Sequence, residues 1–198
     1  MPPKAKLTKT DILDASLAVV RECGVDSLNA RSLAVKIGCS TRPLYSVYQN
    51  MDEIKNDLFE YANGYFGDFL QSHIAEITKV DNAFLNFGLT YIHFATQEPN
   101  LFRLLFLTEK IGAKDFEGLV SPVDHAFILN SIGTGESDMT EAVAAQYFLD
   151  MWIYTHGMAM MAAFGGMEVS DDEIIAMLTR ISKSVKNTGE KNNEKHNT

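Results

Sequence analysis

From Lys9 to Lys186 the apolar residues recur at i, i+3 and i+4, and no stretch alternates with the period of two that marks a strand. Thr8-Lys-Thr-Asp11 reads as a capping box, so the first helix runs from there to about Glu22. It turns Ile12, Leu13, Ser16, Leu17, Val19, Val20 and Cys23 inward, and Gly24 ends it. Asn29 caps a second helix through Leu33, Ala34 and Ile37, which Gly38 stops from the C′ position. Ser40 or Thr41 caps a third, with Leu44, Val47 and Tyr48 as its apolar side. A long proline-free helix follows from near Asp52 to about Thr78. Beyond it the pattern predicts helices over Asp81–Glu98 (ended by Pro99), Asn100–Thr108, Ser121–Ser131 (opened by Ser121-Pro122), Met139–Phe164 and Ser170–Lys186, the last opened by a second capping box, Ser170-Asp-Asp-Glu173. The stretch 112–118 reads as loop or frayed helix, 133–137 as a polar loop, and the polar residues 187–198 as a disordered tail. The expectation is an all-α chain of about nine helices.

The stretch Asn29 to Tyr48 is the most informative. Two short helices joined by a few residues including Gly are the pattern of a helix-turn-helix. The outward positions of its second helix, Thr41, Arg42, Pro43, Tyr45 and Ser46, donate hydrogen bonds, carry charge or stack, and none builds core. That composition suits a surface laid in a DNA groove. Arg42 can address guanine or a phosphate, and Tyr45 a thymine methyl or a phosphate. Asn29 and Arg31, at the start of the preceding helix, are expected on the DNA backbone and groove edge. The expected contact set is Asn29, Arg31, Ser40, Thr41, Arg42, Pro43, Tyr45, Ser46, Tyr48 and Lys55.

Charge sharpens this reading. The whole chain is at −9, but residues 1–55 hold eight Lys/Arg against six Asp/Glu, a net of +2, while the remainder is at −11. The first part can approach phosphates and the second would repel them. Lys4, Lys6 and Lys9 form a basic arm that reads either as a solubilising tail or as a phosphate or minor-groove contact. Two cysteines, Cys23 and Cys39, without ligand spacing fit a reduced cytosolic protein, and MPPKAKLTK holds no signal-type apolar run, so the expected location is cytoplasmic. The apolar run Ala142–Met167 is broken by Asp150, His156 and Gly165-Gly166, which favours a buried helix over a membrane span. The histidines are scattered, so no metal and no cofactor is expected.

The order G-V-D-S-L, then N-A-R-S-L-A-V-K-I-G-C-S, then R-P-L-Y-S-V-Y and a charged helix start resembles the DNA-binding domain of the TetR family, over about residues 8–58. The resemblance implies a helix-turn-helix domain over 1–51, a helical ligand-binding and dimerisation domain over 52–187, and a repressor released from DNA by a small molecule. One position departs from the family: Met51 stands where a phosphate-binding Lys is usual, with Lys55 or the helix N-terminus as the substitute. Trp152-Ile-Tyr-Thr-His156-Gly157 resembles a Trp-x-x-x-His-Gly pattern in the ligand domain of one subgroup; the same residues also suit a packed helix whose Trp and His satisfy each other.

The expected partners are double-stranded DNA at a pseudo-palindromic operator, a second copy of the chain, and a small apolar ligand, neutral or cationic. The ligand cavity is expected to be lined by Phe66, Phe69, Phe87, Tyr91, Phe94, Leu104, His125, Leu129, Tyr147, Met151, Trp152 and Thr155, with Arg103 as the nearest cation. Met139–Phe164 and Asp171–Lys186 are expected to form the dimer's four-helix bundle, with Gly157, Ala159, Ala162 and Ala163 allowing close approach. The competing readings are a constitutive architectural DNA binder and an enzyme in the helical part; for the latter no nucleophile-base pair or phosphate loop is visible.

Overall fold

The computed structural model describes residues 7–76, 83–107, 141–166 and 168–196. Every regular element among them is helical, so the all-α expectation holds. There are seven α-helices among the described residues: α1 Lys9–Cys23, α2 Ala30–Ile37, α3 Met51–Glu76, α4 Ala83–Gln97, α5 Pro99–Phe106, α6 Glu141–Ala163 and α7 Asp171–His196. Two short 3₁₀ turns, Val25–Ser27 and Leu44–Ser46, join them. The expected helix over 121–131, the basic arm's Lys4 and Lys6, and the loops 112–118 and 133–137 lie outside the described residues.

The chain divides into two compact units. Unit one is Met1–Asp68 together with Glu98–Thr108, and unit two is Phe69–Gln97 together with Glu109–Thr198. In unit one α2 and α5 pack against α1. Ile12, Val20, Leu28, Leu33, Leu44, Ile54 and Leu58 are buried, so the apolar stripes read from the sequence form the core. The capping box of α1 forms as expected. The Thr8 hydroxyl accepts from the Asp11 amide at 3.1 Å, and the Asp11 carboxylate accepts from the Thr8 amide at 2.8 Å. The Thr8 hydroxyl also donates to the Asp11 carboxylate at 2.7 Å, and that bond and then the amide's hold the Asp11 carboxyl below its usual range. Cys23, expected on the inward side, is exposed, because it occupies the last turn, where Gly24 takes the chain away.

In unit two α4, α6 and α7 pack mutually. Gly88 permits this: a Cβ there would stand 3.2 Å from Leu178 Cδ1 and 3.5 Å from Thr155 Cγ2. The second capping box also forms, with the Ser170 amide donating to Glu173 at 2.8 Å. The last helix differs from the expectation: α7 continues to His196, through the segment read as a disordered tail. KNTGEKNNEKH contains no proline, and one glycine costs only about 1 kcal/mol, so nothing in it ends a helix already started. No helix among the described residues is long and apolar enough to cross a membrane.

Candidate nucleic-acid interface

The turn region departs most from its sequence reading. Asn29 caps α2 as expected: its Oδ1 accepts from the Arg31 and Ser32 amides at 3.0 Å each. Its Nδ2 donates to the Ser27 carbonyl at 3.1 Å, so the side chain that was expected on DNA is engaged within the fold. Gly38 ends α2 in the left-handed conformation, at φ 75° and ψ 35°, and the Cys39 amide closes on Ala34 O at 2.9 Å. After it comes no α-helix but the 3₁₀ turn Leu44–Ser46, preceded by Pro43, and neither Ser40 nor Thr41 caps it through a side chain.

The reason is local. Pro43 has no amide to donate and biases Arg42 away from helical dihedrals. The Ser46 hydroxyl takes the Pro43 carbonyl at 2.6 Å, alongside the Ser46 amide at 3.2 Å. One bond of α type remains, Tyr48 N to Leu44 O at 2.9 Å. A turn this short still fixes which side chains face out. Ser40, Thr41, Arg42, Tyr45 and Ser46 are exposed and Pro43 half-buried, whereas Leu44 is fully buried beneath them.

Tyr48 was expected on the DNA side and is not there. It is 1% exposed against 48% for Tyr45. Its hydroxyl donates to Asp57 Oδ2 at 3.0 Å, and Lys9 Nζ lies 4.8 Å from the ring centre and 3.2 Å from the same Asp57 oxygen. Burial, then the Asp57 bond, pushes the Tyr48 hydroxyl up to about 12. The i, i+4 spacing from Leu44 was the signal that it belonged to the core face.

The cations of residues 7–68 divide evenly. Lys9 pairs with Asp57, Arg21 with Glu98 and Lys36 with Glu22. Arg31, Arg42 and Lys55 form no ion pair among the described residues, and they are the three named from sequence as DNA contacts. Arg31 and Arg42 are exposed and Lys55 is half-buried. At the start of α3, Asn50 Oδ1 accepts from the Glu53 amide at 2.9 Å, and Asp52 and Glu53 occupy the first turn. That helix end is thus partly satisfied and acidic, and Lys55 follows one turn on, half-buried. The Asn50 cap was readable from the Glu three residues on.

Of the expected ligand lining, Phe66 and Leu104 belong to unit one, where the Phe66 and Phe106 rings meet edge-on at 5.3 Å. Arg103 is also in unit one. Phe69, Phe87, Tyr91, Phe94, Tyr147, Met151, Trp152 and Thr155 belong to unit two, and His125 and Leu129 lie outside the described residues. Of the ten described lining residues, two thus fall in unit one and eight in unit two. Within unit two a ring cluster does assemble. Trp152 stacks on His156 at 4.7 Å and 6°, Tyr91 OH lies 2.9 Å from His156 Nδ1, and Phe87 stacks on Tyr91 at 6.3 Å. Burial lowers the His156 pKa, so its ring is neutral at pH 7. Phe69 meets Phe94 edge-on at 5.2 Å, and the Tyr147 hydroxyl pairs with Ser182 at 2.7 Å. Among the described residues no group of His, Cys, Asp or Glu could hold a metal.

No protein-family profile matches the chain, and no curated protein sequence matches it. Solved structures do resemble it. A candidate transcriptional regulator of Pseudomonas aeruginosa PAO1 superposes with a TM-score of 0.62 at 13% identity, covering 92% of each chain. A candidate TetR-family transcriptional regulator of Mesorhizobium loti MAFF303099 gives a TM-score of 0.49 at 16% identity, covering 89% of this chain and 94% of the other. The all-helical fold is therefore shared with the Pseudomonas protein along nearly its whole length.

Proposed function

We propose that the chain is a TetR-family transcriptional regulator that binds double-stranded DNA through unit one. The observation that carries the reading is the division of cations: those that structure needs are paired, and Arg31, Arg42 and Lys55 are left for phosphates or bases. The fold shared with a candidate regulator supports it. The contact set is Arg31, Ser40, Thr41, Arg42, Pro43, Tyr45, Ser46 and Lys55, without the buried Tyr48.

One such turn reads too few bases alone, so the binding form is a homodimer on a pseudo-palindrome. Supporting this, α6 exposes Ile153 (57%) and Met161 (48%) along one side, and Phe164 (61%), the residue just after the helix, continues that side. Ala159 and Ala163, expected at the interface, are buried within the chain's own fold, so the stripe of Ile153, Gly157, Met161 and Phe164 replaces them. A small apolar ligand, neutral or cationic, acts on unit two near the Phe87, Tyr91, Trp152 and His156 rings. It releases DNA because it favours the conformation that no longer fits both half-sites; that makes the protein a repressor.

The test is in vitro selection of duplexes with the full chain, then footprinting. Two protected half-sites related by two-fold symmetry are expected, about 34 Å apart centre to centre or a multiple of that. Protection of one asymmetric half-site, or none, would sink the reading. Thermal-shift screening followed by DNA-release assays tests the ligand. If strongly anionic compounds alone release the DNA, the electrostatic argument fails, and if no small molecule releases it the protein is a constitutive binder.

A further inference from the structure

Glu98 is where the chain re-enters unit one after residues 69–97. Its carboxylate is buried, and both oxygens are engaged. Arg21 Nε donates to Oε2 at 2.8 Å, Arg21 Nη2 donates to Oε1, and Tyr65 OH donates to Oε1 at 3.1 Å. The Arg21 guanidinium also lies 5.2 Å from the Tyr65 ring centre. Asn100 Nδ2 adds a bond to the Arg21 carbonyl at 2.9 Å. The Glu98 bond in turn raises the pKa of Arg21.

Two features argue against simple packing. First, Glu98 stands at the N-cap of α5 but makes no side-chain cap bond to that helix. A carboxylate placed there for helix stability turns toward its own first-turn amides; this one is directed wholly at α1 and α3. Second, its partners mark the chain's passages between the units. The chain leaves unit one within α3 between Asp68 and Phe69, one turn after Tyr65, and returns between Gln97 and Glu98. The Tyr65–Glu98 bond ties these two passages together, and Arg21 ties both to α1. The third passage, at Thr108, lies outside the described residues.

We propose that Arg21, Glu98 and Tyr65 form a latch, with Glu98 as a positioning residue. Closed, it holds the C-terminal half of α1, and α2 packed against it, in the arrangement that presents Arg31 and Arg42. Opened, it frees α1 and α5 while unit two stays folded. The consequence for DNA rests on the function proposed above; the latch itself does not.

The test uses the full-length protein as Glu98→Gln and as Tyr65→Phe, the second removing one hydroxyl and no packing. Hydrogen exchange read by mass spectrometry should quicken about tenfold or more across Ala15–Cys23 and Pro99–Phe106, with Tyr147–Ala163 unchanged. Affinity for the duplex recovered by selection should fall about fivefold or more in the folded protein. The double variant should be no worse than Glu98→Gln alone, because both changes open one network. Unchanged exchange in α1 and α5 overturns the latch, and so does uniform quickening over both units, which marks general destabilisation. Faster exchange with unaltered affinity overturns its role in DNA binding. A wild-type protein that recovers no duplex refutes the DNA reading instead, and the exchange result still decides the latch.

Discussion

Tyr45 and Tyr48 look alike in sequence and have opposite surroundings, so Tyr48→Phe separates the structural account from the sequence expectation. The ring stays buried and Leu44 stays covered; what is lost is the hydroxyl's bond to Asp57, 3.0 Å long. A bond to a charged acceptor contributes about 1.5–3 kcal/mol, but the Asp57 side chain is 38% exposed and keeps Lys9 as partner, so about 1 kcal/mol is expected. Urea denaturation at pH 7 followed by circular dichroism should show a midpoint lower by about 0.5 M. DNA affinity of the folded variant should match wild type.

The pH dependence carries a sign that no other account supplies. Tyr48 is raised from its ordinary 10 to about 12 in the fold. Below pH 10 the hydroxyl is protonated in folded and unfolded chains alike and its contribution is whole. Between 10 and 12 the unfolded chain loses the proton first, so the contribution falls, by about 2 kcal/mol across the window. The phenylalanine variant has nothing to lose there. It should start less stable than wild type and become the more stable of the two as pH nears 12. Tyr61 and Tyr65 are also raised, by their bonds to Asp14 and by burial beside Glu98 respectively, but they are common to both proteins and cancel. Equal stabilities at pH 7, or a constant difference up to pH 12, would refute the burial of that hydroxyl. Lower DNA affinity at unchanged stability would return Tyr48 to the contact surface.

Arg42→Ala should weaken specific DNA binding by about 1–3 kcal/mol and relax the preference at one base position, read by titration against half-site variants; stability should change by less than about 0.5 kcal/mol. Phe164→Glu places a charge on the exposed α6 stripe without entering the chain's own core, and sedimentation should show monomers. A dimer of undiminished strength would put the interface elsewhere.

What was legible in the sequence was local. Thr8 with Asp11, Asn29, Gly38, and Ser170 with Glu173 each act within a few residues, so their caps could be read directly and form as expected. The turn Leu44–Ser46 departs from the helix that apolar spacing at 44, 47 and 48 suggests, because Pro43 and the Ser46 hydroxyl decide the hydrogen bonding. Helical spacing also placed Tyr48 inward, and the motif's expected contact set overrode that signal. Less legible were the pairings across long separations. Arg21 and Glu98 are 77 residues apart, and nothing in the Glu98 neighbourhood marks α5 as part of unit one. Phe66 and Leu104, expected in the ligand lining, fall in unit one, and spacing along the sequence does not show which unit a residue joins. The −9 charge misleads in the same way until each cation's partner is known.

That pairing gives a quantitative expectation for salt. If Arg31, Arg42 and Lys55 are the cations that meet phosphates, a dimer brings six, and the slope of log K against log salt should be about −5. Arg21 should add nothing, because its partner Glu98 is buried and would be left unpaired, and Lys9 and Lys36, already neutralised by Asp57 and Glu22, should add less than a free cation. Engagement of the arm lysines Lys4 and Lys6 in both chains would steepen the slope to about −9. Fluorescence anisotropy with a labelled duplex at increasing salt measures it directly, and deleting residues 1–6 assigns any excess to the arm. Lys55→Ala should flatten the slope by about 2 and weaken all sequences alike. A slope near zero would reject the phosphate role of the three unpaired cations. A steep slope that survives deletion of the arm would mean that the paired cations change partners on DNA, and the division of cations that supports the DNA reading would no longer hold.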